Sequence, residues 1–537
     1  MLLFTFAAFQ MTAQNLNPQV QVTNDYQSTA PDIRKQDVPV SIPDSVLHFD
    51  YTFDYSVFDS PYKGAFEFSP YVIGFVPDKM TAEYGKLYLK AGAGYTTYPV
   101  FDVVYSPNPR GNFSMSVVQK LDGYVGSYFT VAPSMGLYST EWNGHNINEK
   151  FAVEGRWGLR KAELVWATGY EGIFFKDWMQ DGRMHSGGVS LRLSSNDTDS
   201  KSFSYDVNVA GKFSSDIVSH EFSVPSLYET DIRVFGSVGP VLDKSYRVLV
   251  DYDFRYNRMD GSYDGRYIAG GAITPHVVLD AGPFDIDAGA RVDYFGSISF
   301  APDVKISAGL FKDDVTVFLG ARGGQKPLGY TDFKHWNHYF TPAYTEDFQT
   351  VVNEKIAAFG GFEGHVGAHF NWSAEAGFSM VENSPLEKVG IVSESILPGV
   401  GFYDYNLFEA VLRAAWKSES FVLDGEVTYR KMLDLNDNSA ITLPALSADV
   451  RALYSYRDRL KLGASAEFES ARHFYDGVSE SKTIPMWIDL GAYAEFSFNS
   501  WFSVWARGGN LLNFFIRRDP FHVERGINGT AGISFVF

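Results

Sequence analysis

The sequence predicts a transmembrane antiparallel β-barrel of about 22 strands, within a range of about 16 to 22, behind an extended N-terminal arm. Three observations predict it. After Gly85, apolar and polar residues alternate with a period of two, in runs of about ten residues, the length of a tilted strand crossing hydrocarbon. Aromatic residues make up 16% of the 537-residue chain and glycines number 49, yet hydrophobic content is only 45% and mean hydropathy is −0.14. No apolar run approaches the length of a transmembrane helix. Strands with one apolar face must therefore meet the lipid, and one closed sheet can absorb a length that would otherwise make several globular domains.

The chain opens on Leu2, Leu3, Phe4, Phe6, Ala7, Ala8 and Phe9, followed by Thr12-Ala13-Gln14. An apolar core before small residues reads as a secretory signal over residues 1–13, with its start cut short, since no basic residue precedes it. Residues 14–84 carry Pro18, Pro31, Pro39, Pro43, Pro61, Pro70 and Pro77. That spacing is too close for regular helix or sheet and makes the segment an extended periplasmic arm. Its alternating patch Val20 to Thr23 and its acid-aromatic stretch Phe49 to Phe58 suit strand addition to a periplasmic or barrel partner, or packing in the barrel mouth.

Residues 85–537 form the barrel. In Tyr246 to Tyr256, the residues Tyr246, Val248, Val250, Tyr252, Phe254 and Tyr256 share one face, opposite Arg247, Asp251, Asp253 and Arg255. Phe284, Ile286, Ala288, Ala290, Val292 and Tyr294 oppose Asp285, Asp287, Arg291 and Asp293, and Phe421, Leu423, Val427 and Tyr429 oppose Asp424 and Glu426. The apolar set is expected to face lipid and the charged set a lumen that is hydrated or filled by polar chain, because an unpaired ion in low dielectric costs several kcal/mol. Short turns punctuate the strands at Pro107–Asn112, Arg160-Lys161, Ser195–Asp199, Pro240–Lys244, Ala281–Pro283, Lys312–Asp314, Gly364–Val366, Ser418-Glu419, Arg457-Asp458 and Asn499-Ser500. Taken as periplasmic, they give about ten hairpins and a strand at each end, hence the upper strand number. The weak pattern over Val389 to Leu407 sets the lower bound.

The last strand, Asn528 to Phe537, places Ala531, Ile533, Phe535 and Phe537 opposite Thr530, Gly532 and Ser534. Its terminal Phe537, with Phe535, resembles the assembly signal of bacterial outer-membrane barrels and implies recognition by the outer-membrane protein assembly machinery. Leu87-Tyr-Leu-Lys-Ala-Gly-Ala-Gly-Tyr-Thr-Thr-Tyr-Pro99 with the Pro107–Asn112 turn resembles the opening hairpin of the TonB-dependent receptor-like barrels of Bacteroidota. Trp501-Phe-Ser-Val-Trp-Ala-Arg-Gly-Gly-Asn-Leu-Leu-Asn513 and the Gly526 to Phe537 ending are similar to that superfamily's last two strands. The resemblance covers most of Gly85 to Phe537 and implies a cell outer-membrane location in contact with lipid. It departs in one respect: those receptors carry a compact plug inside the barrel, and about 70 Pro-broken residues are too few for one with its own core.

A formal charge of −19 disfavours a nucleic-acid partner, and the absence of cysteine excludes a disulfide framework. No phosphate loop or paired-Cys site is present and no cofactor or metal is expected. His335 and His338 sit three apart, a spacing that would serve a metal only if a turn brought them together with a carboxylate such as Asp332, in an expected extracellular loop that also holds Tyr330, Phe333, Trp336, Tyr339, Phe340 and Tyr344. A folded aromatic lid is the plainer reading, a glycan platform the sharper one. His185 and Ser186 superficially resemble an outer-membrane phospholipase pair, but as neighbours on a strand they point to opposite faces, and no enzyme is expected. The expected function is an accessory or scaffold barrel of a larger outer-membrane complex for assembly, export or uptake. Alternatives are a passive channel for polar solutes and a receptor whose plug another chain supplies.

Overall fold

A computed structural model describes residues 86–537, apart from residues 96, 133–136, 177–180, 196–201, 220–225, 244, 262–265, 311–313, 337–339, 341–348, 393–394, 436–439, 458, 476–480, 519, 521 and 524–525. The expected signal and the arm over 14–84 lie outside the described residues. The strands in order are Lys86–Tyr95 (β1), Val100–Ser106 (β2), Phe113–Ala132 (β3), Leu137–Gly158 (β4), Ala162–Lys176 (β5), Asp181–Ser195 (β6), Ser202–Ser219 (β7), Leu227–Asp243 (β8) and Tyr246–Gly261 (β9). There follow Arg266–Ala281 (β10), Phe284–Tyr294 (β11), Ile298–Leu310 (β12), Val315–Pro327 (β13), a helix Tyr330–Trp336 (α1), Val351–Val366 (β14), Phe370–Val392 (β15), Ser395–Lys417 (β16) and Phe421–Leu433 (β17). The chain closes with Leu446–Tyr456 (β18), Leu460–Glu469 (β19), the loop hairpin Arg472–Tyr475 (β20) and Ser481–Ile484 (β21), Trp487–Ser497 (β22), Phe502–Gly509 (β23), His522–Val523 (β24) and Asn528–Val536 (β25).

Twenty-two of these strands pair antiparallel with their neighbours and close into one cylinder, leaving out the β20–β21 hairpin and the two-residue β24. Closure is made by β25 against β1, with Leu89 opposite Phe535, and by reciprocal 2.8 Å bonds between the backbones of Leu87 and Phe537. A closed cylinder leaves no unpaired edge, the condition for backbone to stand in hydrocarbon. Alternation does the rest: on β9, Phe254 and Tyr256 are exposed outward while Arg255 and Asn257 beside them are 3% and 0% exposed. Among the described residues no helix is long and apolar enough to cross a membrane.

Each of the ten predicted short turns falls at or within a few residues of a hairpin on the end of the cylinder that also holds Lys86 and Phe537. One is displaced: β14 runs through Gly364–Val366 and the turn is Gly367–His369, with Gly367 at φ 60°. Several connections at the far end are brief as well, such as 295–297 and 393–394, because strands extend outward in place of loops. The wall is uneven in height. Near the closure, β2, β23 and β25 have 7, 8 and 9 residues, whereas β15 and β16 have 23 each. Over the low side, β24 of the last loop pairs with Phe129 and Thr130 of β3 and builds the wall upward.

Candidate functional site

The candidate site lies inside the cylinder, where residues 328–350 leave the wall between β13 and β14. The pairing of these strands shifts between Arg322 and Gly324, and Gly324 has φ 136°, a conformation a side chain would strain. A bond from Leu328 N to Thr350 O, 2.7 Å, closes the base of the loop. The chain then forms α1, whose first turn is capped by Asp332 accepting from Gly329 N at 2.7 Å. Gly329 is required by close approach: a Cβ there would overlap the Glu229 carboxylate and crowd Asn257.

One side of α1 is polar and meets the inner faces of β5, β7, β8 and β9. Thr331 donates its hydroxyl (2.5 Å) and its backbone N–H (3.1 Å) to Glu229, and the Tyr330 hydroxyl donates to Asp216. Lys334 Nζ stands 3.0 Å from Asp216, His335 Nε2 3.2 Å from Glu171, and Lys212 donates to the Thr331 hydroxyl. Arg255 holds Asp332 at 3.1 Å, the Pro327 carbonyl at 2.6 Å and both oxygens of Asp231 at 2.9 and 2.7 Å. Asn257 donates to the other Glu229 oxygen at 2.8 Å. Burial pushes the Asp332 carboxyl up, but Arg255, Lys212 and the Gly329 N–H outweigh it and hold the group below the usual carboxylate range. Burial, with Asp216 beside it, drives the Tyr330 hydroxyl well up, so it remains a donor.

The other side of α1 is apolar. Phe333 stacks on Phe340 at 4.6 Å and meets Phe402 of β16 edge-on at 5.9 Å. Around these rings lies a buried cluster that includes Met259 of β9, Val352 of β14, Leu386 of β15, and Val400 and Leu407 of β16. Strands β5 and β16 stand on opposite sides of the ring. One short helix therefore ties the wall of β5 to β9 to the outward extension of β15 and β16 across the mouth.

The aromatic residues predicted to form a loop are divided by this arrangement. Tyr330, Phe333 and Phe340 are buried and turned into the protein, so these three rings offer no face to a sugar. Trp336 ends α1; Tyr339, Tyr344 and His338 fall outside the described residues. Among the described residues no group of three or more His, Cys, Asp or Glu side chains is arranged to hold a metal ion.

Of the charged residues chosen for the inner face, Arg255 alone enters the latch. Asp253 pairs with Arg233 at 2.6 Å, Asp251 and Asp287 flank His276 at 3.3 and 2.7 Å, Arg291 pairs with Asp293 at 2.8 Å, and Glu426 with Arg413 at 2.7 Å. Arg247 is half-buried, and Asp285 and Asp424 are exposed. The residues missed were Glu171, Lys212, Asp216, Glu229, Asp231 and Asn257. The signal was available, since Glu229-x-Asp231-x-Arg233 has the period that drew attention to β9. Ser186, on the inner face, donates to Ser214 at 2.9 Å, while His185 on the other face bonds the Tyr170 hydroxyl at 2.8 Å, the separation the strand geometry requires. Phe535 stacks between Trp501 and Phe537, with centroids at 6.1 and 5.9 Å.

No protein-family model matches this sequence, and no curated protein matches it. Solved structures do match the fold. The FrpB iron transporter from Neisseria meningitidis (F3-3 variant) aligns with a TM-score of 0.64 at 9% identity, over 84% of this chain and 81% of that one. The siderophore receptor PirA from Acinetobacter baumannii gives 0.62 at 9% identity over 84% and 80%, and the copper transporter OprC 0.60 at 11% over 84% and 80%. The cylinder thus shares the fold of these transporter and receptor barrels.

Proposed function

We propose that this chain is a receptor-like outer-membrane barrel that stands closed and serves as an accessory or scaffold component of a larger outer-membrane complex, with residues 14–84 reaching a periplasmic or barrel partner. The observation that carries the reading is α1. It is bound to one wall by ionic and hydroxyl contacts and to the opposite side by an apolar core. A passive channel needs a continuous wet path, and the helix narrows that path on the side where it buries Glu229, Asp216 and Arg255. Withdrawing the helix would take one partner each from Glu229, Asp216 and Arg255, which favours the latched state as the resting one. A closed wall that moves no solute by itself suits a scaffold.

The test is deletion of residues 14–79 followed by crosslinking mass spectrometry in native membranes. The reading expects partners crosslinked to the full chain to be lost from the truncated one. The same neighbours in both would refute the accessory role.

A further inference from the structure

Going beyond that reading, we propose that the wall beneath α1 is a binding site for an oligopeptide able to form one helical turn and carrying a hydroxyl, a carboxylate and a lysine in close succession, and that α1 occupies it as an internal ligand. The receiving groups hold one another in place without the helix. Arg255 is fixed by both oxygens of Asp231, and Asn257 fixes one oxygen of Glu229, all within the paired strands β8 and β9. What the helix satisfies is the capacity left over. The second oxygen of Glu229 takes the Thr331 hydroxyl and N–H, Asp216 takes the Tyr330 hydroxyl and the Lys334 ammonium, and Arg255, already on the Pro327 carbonyl of β13, takes the Asp332 carboxylate.

One of those partners, the Thr331 N–H, belongs to any peptide backbone. The remaining ones define the chemistry. A metal ion would suit the carboxylates and repel Arg255 and Lys212. A neutral sugar would supply hydroxyls but leave Asp216 without a cation and Arg255 without an anion beyond Asp231. An oligopeptide of the stated composition supplies each group at once. Because the wall charges are buried, the helix exchanges only for a ligand that renews the same bonds. The site also stands at the end of the cylinder opposite Lys86 and Phe537, close to the far ends of β7, β8 and β9, the side from which a ligand would approach.

The probe is a fluorescein-labelled peptide with the sequence of residues 329–336, Gly-Tyr-Thr-Asp-Phe-Lys-His-Trp, and its binding to the full chain in detergent is followed by anisotropy. Thr331→Val with Asp332→Asn weakens the internal ligand and leaves the wall intact, so the peptide should bind at least tenfold tighter than to the natural chain. Adding Glu229→Gln and Arg255→Met should return the signal to that of a scrambled peptide. Heat-dependent gel mobility checks that each barrel is folded. Should the double variant not fold, Phe333→Ala loosens α1 from its apolar side and is read in the same way. Saturable binding that distinguishes native from scrambled order supports the site; a folded, unlatched barrel that ignores the peptide, or takes both orders equally, overturns it.

Discussion

Replacing Arg255 by methionine strikes the latch where it is most connected. The guanidinium is 3% exposed and makes four bonds, two to Asp231 and one each to the Pro327 carbonyl and Asp332. Its loss strands two buried carboxylates, and removing one partner of a buried pair costs about 3–5 kcal/mol. The barrel need not bear that cost, because its backbone ladders are untouched and Asp231 can regain water once the helix departs. The strain therefore falls on α1, which stands outside those ladders, and shifts the latched-to-unlatched ratio by roughly a hundredfold to a few thousandfold, at about 1.4 kcal/mol per tenfold. Hydrogen exchange read by mass spectrometry over residues 329–336, with β8 and β9 as internal reference, measures this directly. Exchange there should rise about a hundredfold or more with the reference unchanged, and adding Asp332→Asn should recover part of the loss by removing one stranded charge. Unchanged exchange in a folded Arg255→Met barrel would mean that Arg255 does not hold the helix.

Three further outcomes are expected. Phe333→Ala removes a ring stacked on Phe340 and buried to 1% exposure, at a cost of about 3–5 kcal/mol, so α1 should become accessible to protease while heat-dependent mobility of the barrel stays normal. Asp332 is depressed below the ordinary carboxylate range, so its contribution to the latch is complete above about pH 4 and fades only as pH falls further. Exchange at 329–336, corrected for intrinsic rate, should not rise from about pH 8 to 5, and a rise between pH 7 and 6 would contradict this assignment. Deleting Phe537 removes the reciprocal bonds to Leu87 and the ring stacked on Phe535, and should lower the folded fraction in membranes severalfold in a pulse-labelling assay; an undiminished yield would remove its role as an assembly signal.

What the sequence disclosed and what it concealed divide along a physical line. Where one face of a strand meets lipid and the other meets polar lumen, as in β9, every second residue reports its side, and Phe254, Arg255 and Tyr256 could be placed by parity alone. The turns were equally local, being set by Gly, Pro, Asn and Asp over a few residues. Val389 to Leu407 was weakly patterned because β15 and β16 there rise into the buried cluster, where Leu386, Val400, Tyr403 and Tyr405 pack against other protein in place of lipid. Their hairpin is nonetheless continuous on both sides of 393–394. The latch was hidden for another reason: Thr331 meets Glu229 across 102 residues and Tyr330 meets Asp216 across 114, distances over which no periodicity speaks. A lumen expected to be wet or filled by polar chain also contains, toward its outer end, an apolar core around Phe333 and Phe340, rings whose plainer reading in sequence was a folded aromatic lid.

Planar-bilayer recording bears most directly on the claim that a single helix closes this cylinder. The natural chain and one with residues 329–336 replaced by a Gly-Ser linker, both shown to be folded, are inserted under the same conditions. The natural barrel should remain electrically quiet and the unlatched one should give large, stable conductance steps. Stable open steps of equal size from the natural chain would contradict the account.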